Sequence, residues 1–206
     1  MQAPGGPQED PTGGFKYGGW TVGYWDDLLG GVMGEQMAEP LDLLLGWKNY
    51  EIFVAYWPYV KGDDPTACKL NSAKKYVASM TLKKLDWNNS TLLEGGIVQE
   101  IKNLKEQDGP ELQVHGSGNL IQTLLKHDLV DEFRLNIFPI TLGTGKRLFG
   151  EGTIPAGFKV VHSKTSTTGV IIADYERAGN VKTGSFALET PTEAELSRRK
   201  RLNEGN

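Results

Sequence analysis

A chain of 206 residues with 38% apolar content is long enough to bury one sizeable core, so a single domain with tails is expected. A net charge of −4 with no strong basic cluster excludes nucleic acid as the main partner. The single cysteine, Cys68, excludes an internal disulfide and fits a reducing, cytoplasmic setting, and apolar runs such as Leu43-Leu44-Leu45 are far too short to span a membrane.

Residues 1–23 carry Pro4, Pro7, Pro11 and scattered glycines, and show no strand or helix pattern. Phe15, Tyr17 and Trp20 favour a loop lying across a site over a disordered tail, because such tails are poor in aromatics. From Tyr24 to Met37 the pattern turns helical, with Trp25, Leu28, Leu29, Val32, Met33 and Met37 at three- and four-residue spacings. Asp26 and Asp27 lie in its first turn, where negative charge suits the helix dipole, and Pro40 ends it. Leu41–Leu45 reads as a buried strand. Gly46-Trp47-Lys48-Asn49 then forms a turn, with Asn49 placed to cap a helix over 50–56.

Residues 63–72 read as loop, with at most a short helical turn. Strands are expected at 75–82 and 90–93, and a helix at 97–104 that stops before Asp108-Gly109-Pro110. The stretch 111–150 organises the rest. Leu112-Gln113-Val114 has strand character, and Gly116-Ser117-Gly118 is a turn of little bulk. Leu120, Ile121, Leu124 and Leu125 share one helical face, while Phe133, Leu135 and Ile137 alternate with polar residues in a strand. Strand, glycine turn, helix and strand make a crossover unit whose two strands run parallel. Backbone N–H groups and a positive dipole end meet at the glycines, so a phosphate suits the place. Taken alone, a Gly-x-Gly there is more often a tight turn for close packing. Residues 158–164 and 169–175 read as a strand pair turning at Thr167-Thr168-Gly169. Thr190-Pro191-Thr192-Glu193 starts a charged terminal helix, on which Arg198-Arg199-Lys200-Arg201 reads as a solvated face. About seven strands and four or five helices alternate along the chain, the pattern of an α/β sandwich with a mixed sheet.

Gly46-Trp47-Lys48-Asn49-Tyr50-Glu51, Ser79-Met80-Thr81 and His115-Gly116-Ser117-Gly118 stand in an order and spacing that resembles dihydrofolate reductase-like proteins. Leu129-Val130-Asp131-Glu132 and the run from Pro139 to Phe149 look especially like the C-terminal reductase domain of the riboflavin-biosynthesis deaminase/reductase. The resemblance covers roughly residues 1 to 176 and implies a domain over 1–178 with a C-terminal tail over 179–206. It implies a three-layer sandwich with a mixed, mostly parallel central sheet and a C-terminal antiparallel hairpin. It also implies an NADPH-dependent reductase, a homodimer, passing hydride to a small heterocyclic or carbonyl substrate. The alternative is a ligand-binding protein that kept the fold and lost the chemistry.

On this resemblance the cofactor contacts are Gly46, Trp47, Lys48 and Asn49 at the first turn, Ser79 and Thr81 at the second strand end, and His115, Gly116, Ser117, Gly118, Asn119 and Leu120 around the pyrophosphate. Asp26 is the one catalytic candidate, where dihydrofolate reductases keep an acid, although service to the helix dipole explains it better. Trp20, Tyr24 and Trp25 are placed either to line a substrate pocket or to pack. Lys146 and Arg147 are placed either to face substrate or, by default, to form a solvated turn. No metal spacing links His115, His127 and His162. Three departures stand out. Trp47 and Met80 occupy positions where the family usually has arginines near the adenosine 2′-phosphate, which leaves Lys48 as the obvious cation and predicts weaker preference for NADPH over NADH. The family's first strand, with its Ser-Leu-Asp-Gly-like motif, has no counterpart from Met1 onward; a shortened chain is expected rather than a strand lent by a partner.

Overall fold

The computed structural model describes residues 2–204. The first parallel strand, β1 (Leu41–Gly46), runs straight into helix α2 (Trp47–Val54). Next come helix α3 (Pro65–Ser72), strands β2 (Lys75–Ala78) and β3 (Ser90–Leu93), helix α4 (Ile97–Lys105), strand β4 (Glu111–Gln113) and helix α5 (Gly118–Lys126). These strands form a parallel sheet in the order β3-β2-β1-β4. Strands β5 (Glu132–Ile137), β6 (Phe158–Thr165) and β7 (Ile171–Arg177) form an antiparallel sheet ordered β5-β7-β6. Helix α1 (Asp27–Ala38) precedes the first sheet, and α6 (Glu193–Glu204) is the last described element and buries no residue.

The helices join the two sheets. On one face, α1 sets Leu29 against Val170 and Ile172 of the antiparallel half and Met37 against Leu41, Leu43 and Leu45 of the parallel half. On the other, α5 sets Leu120 and Leu124 against Leu44 and Ala78, and Ile121 and Leu125 against Phe133. Complete burial of Leu43, Leu45 and Val77 stabilises the fold by about 1.5–3 kcal/mol each. Helix and strand patterning is met closely, and so is the hairpin of β6 and β7.

Several local expectations need correction. The crossover after β4 delivers β5 into the second sheet instead of one continuous central sheet. Among the described residues, β4 bonds along its main chain only to β1 and β5 only to β7, while Arg134 of β5 reaches Glu111 of β4 through a paired ion contact at 2.6 and 2.9 Å. Residues 65–72 are helical, not loop, because Asp64 accepts from Ala67 N at 2.7 Å and Pro65 holds the first helical position. Asn49 is not a cap: α2 begins at Trp47 with Gly46 as its extended cap residue, so Asn49 lies inside the helix. β2 ends at Ala78 rather than at residue 82, because Ser79 Oγ accepts from Thr81 N and Leu82 N and turns the chain.

Residues 2–25 form an ordered strap built on Gln2, whose amide donates to Asp10 O and Thr12 O at 3.0 and 2.8 Å. Trp20 Nε1 donates to Gln2 O at 2.9 Å, and the Trp20 ring meets Phe138 edge-on at 5.0 Å. Gly18 is required here, since a Cβ on it would sit 2.5 Å from Gly6 O. Lys75 is wholly buried; its ammonium donates to Asn71 O, Ala73 O and Asn88 O at 2.8, 2.8 and 3.1 Å and lies 4.3 Å from the Trp87 ring centre.

Candidate phosphate-binding edge

All four strands of the first sheet run the same way, so their carboxyl ends share one edge. From β1 the chain moves by α2 and α3 to β2 on one side, while β4 is reached by α4 on the other side of β1. The connections lie on opposite faces: Tyr50 of α2 packs with Leu43, Leu45 and Val77, whereas Ile101 of α4 and Leu120 of α5 pack with Leu44 and Ala78. Strand order therefore reverses between β1 and β4, and ligands of open α/β sheets bind in such a crevice.

Register brings the two glycine turns together there. Leu43 pairs with Gln113, which sets Gly116 level with Gly46. Ser117 Oγ accepts from Gly46 N at 2.9 Å, so its side chain ties the turns together and does not cap its own helix. Asn49 Nδ2 donates to His115 O at 2.6 Å. Gly116 has φ +76°, and a Cβ on it would sit 2.8 Å from Asn49 Oδ1, so the turn has room only for glycine.

Helix α3 is capped by Asp64, whereas α4 is not: its Glu100 carboxylate accepts only from Gly95 N, ahead of the helix, at 2.6 Å. α2 and α5 have no side-chain cap, so their first-turn N–H groups and positive dipole ends point together into the crevice. Two uncapped helix starts beside a bulk-free turn fit a pyrophosphate by shape and by donor chemistry.

Gly46, Trp47, Lys48, Asn49, His115, Gly116, Ser117, Gly118, Asn119 and Leu120 thus gather at one crevice. Lys48 Nζ lies 5.4 Å from the Trp47 ring centre. Ser79 and Thr81 follow β2, whose Ala78 pairs with Gly46, so they stand at the same edge one strand over. Met80 between them is 95% exposed. His115 Nε2 lies 2.8 Å from Gln113 Oε1, and burial holds its imidazole below the ordinary range against the pull of Glu111. Asp26 lies apart from this group. Its Oδ1 accepts from Leu29 N at 2.8 Å as the α1 cap, and its Oδ2 accepts from Thr167 N and Oγ1 at 2.7 Å. Those contacts, the Thr167 hydroxyl foremost, hold its carboxyl below the usual range. Lys146 was not expected here, yet its Cδ lies 3.8 Å from where a Gly118 Cβ would stand, beside the start of α5. Its ammonium pairs with Asp10 of the strap. Only its place in the Pro139–Phe149 run hinted at this.

Parallel strands with helices on both faces and two glycine turns meeting at the β1–β4 switch point make this half a doubly wound α/β unit. The comparisons give the family: the RibD C-terminal domain matches residues 1–172, and the chain belongs to that family. It is 34% identical over 142 residues to the uncharacterized protein YyaP of Bacillus subtilis, covering 66% of this chain and 74% of that one. A second B. subtilis protein, the uncharacterized YwjB, is 26% identical over 111 residues, 54% of this chain and 59% of its own length. Among solved structures, a protein from Shewanella sp. PV-4 described as a riboflavin biosynthesis protein matches with TM-score 0.58 at 28% identity, covering 75% of this chain and 81% of that one. A pyrimidine reductase-like protein from Corynebacterium diphtheriae shares the fold, with TM-score 0.52 at 12% identity over 78% of this chain and 85% of that one. No helix among the described residues is long and apolar enough to cross a membrane.

Proposed function

We propose that this chain is an NADPH-dependent reductase that passes hydride to a small heterocyclic or carbonyl compound. The observation that carries the reading is the pair of uncapped helix starts at the β1–β4 switch point, joined by the Ser117–Gly46 bond. Membership in the RibD C-terminal domain family supports the reductase chemistry. When bound, the cofactor supplies the hydride from its nicotinamide ring. The chain supplies placement. Gly118, Asn119 and Leu120 offer first-turn N–H groups to the pyrophosphate, and Gly116 keeps the approach free of side chain. Trp47, Lys48 and Asn49 start α2 beside it, and Ser79 and Thr81 extend the edge toward the adenosine end. With Trp47 and Met80 at the positions of the usual arginines, Lys48 alone supplies bidentate-free charge for a 2′-phosphate, so NADPH and NADH should bind with similar strength.

The test is a thermal-shift titration with NADPH, NADH and NADP⁺ on the parent chain and on Gly116→Asp. A saturable rise in Tm that the variant loses supports the assignment. Oxidation of the reduced cofactor by a panel of pteridines, pyrimidines and quinones then separates a reductase from a ligand-binding relative. No shift of the parent with any nucleotide would refute the reading.

A further inference from the structure

Lys146 is a cation at the wrong end of a helix. Its side chain runs past Gly118, where the dipole of α5 is positive and a positive charge is disfavoured. The position is nonetheless well fixed. Lys146 N donates to Gln2 Oε1 at 3.2 Å, and Gly145, at φ +117°, leaves room for the Phe15 ring, whose nearest atom would be 3.1 Å from a Cβ. Its ammonium is paired with Asp10, whose side chain is largely covered and whose carboxylate otherwise accepts, among the described residues, from Thr12 N and Oγ1. Burial pushes the Asp10 carboxyl up, but the Lys146 ammonium and the Thr12 donors outweigh it and leave it below the usual range. A lysine held against a dipole by one carboxylate is poised to change partners when a stronger anion arrives.

This step rests on the reading of the crevice as a dinucleotide site. We propose that Lys146 is the counter-charge for the dinucleotide's pyrophosphate, kept in reserve by Asp10, so that cofactor binding and release of the strap are one exchange of ion partners. A flexible lysine stem reaches either side of its own root, and Asp10 lies on the strap while Gly118 lies on the helix. The anion on the α5 amides competes with Asp10 for the same ammonium. Binding therefore loosens the strap at Asp10, and loosening the strap strengthens binding.

The experiment uses the full chain with NADPH and, separately, inorganic pyrophosphate as probes. Dissociation constants come from tryptophan fluorescence at several salt concentrations, and trypsin cleavage after Lys16, which is exposed in the strap, reports strap opening. Lys146→Met should weaken both probes about tenfold and reduce the salt dependence, while Lys146→Arg should retain binding. Asp10→Asn should tighten binding several-fold, and its Lys16 cleavage should be fast without ligand. In the parent chain, NADPH should accelerate that cleavage. Parent-like binding by Lys146→Met, or weaker binding by Asp10→Asn, overturns the exchange while leaving the crevice assignment intact. Failure of the parent to bind either probe overturns both. If Lys146→Met does not fold, Asp10→Asn alone decides.

Discussion

Replacing Gly116 by alanine tests the geometry of the crevice without touching its charge. The residue sits at φ +76°, and an alanine Cβ would lie 2.8 Å from Asn49 Oδ1. Left-handed backbone costs an alanine about 1–2 kcal/mol. Asn49 can yield only by giving up its 2.6 Å bond to His115 O, a net loss of about 1 kcal/mol. The sum is about 2–3 kcal/mol, which for a chain of this size lowers the Tm by about 5–10 °C. Urea unfolding of the parent, Gly116→Ala, Asn49→Ala and the double variant closes a thermodynamic cycle. With Asn49 already truncated, the alanine should cost only its backbone term, leaving a coupling of about 1 kcal/mol between the sites. A Gly116→Ala chain within about 0.5 kcal/mol of the parent, or a coupling near zero, would refute the claim that close approach to Asn49 reserves this position for glycine.

Two further outcomes follow from ionisable groups away from the crevice. Lys75→Met strands three carbonyls and should cost about 2–4 kcal/mol in urea unfolding. Burial lowers the Lys75 ammonium to about 8, so between there and its ordinary 10.5 the unfolded chain binds the extra proton. Parental stability should rise with pH through that window relative to the variant, and parallel pH profiles would contradict it. Asp26 has a depressed carboxyl in the fold, so its contribution is present above the ordinary value of 3.8 and fades as pH falls through the folded one. Asp26→Asn should therefore flatten the acid limb of unfolding followed by circular dichroism; a variant as acid-sensitive as the parent would show that the clamp to Thr167 does not set that limb.

Much of this was written in local patterns. The spacing of Leu120, Ile121, Leu124 and Leu125 placed α5 and its buried face, and all four are buried. The glycines of the 116–118 turn marked the place where the two turns meet because a bulk-free turn is a local property. α3 was missed since Ala67 and Leu70 are its only buried residues, too few for a periodic signal, although Asp64-Pro65 carried the capping information. The role of Asn49 was misjudged because its partner, His115, is 66 positions away. The same holds for Gln2 and Lys146, separated by 144 positions: no local rule joins a strap to a loop at that distance. The break between β4 and β5 was equally invisible, because strand pairing is decided by the whole assembly and not by either strand.

That break has a mechanical meaning. Main-chain ladders resist shear, whereas interdigitated side chains slide and rock over small distances. Where β4 and β5 face each other, the Arg134–Glu111 contact and the two spanning helices replace a ladder. The two ladders are thus joined across this seam by side-chain packing rather than by main-chain bonds. The Gly46 turn belongs to one ladder, and Lys146 follows β5 of the other. A dinucleotide touching both would act as a tie bar, and the sharpness of heat unfolding would report how firmly it joins them.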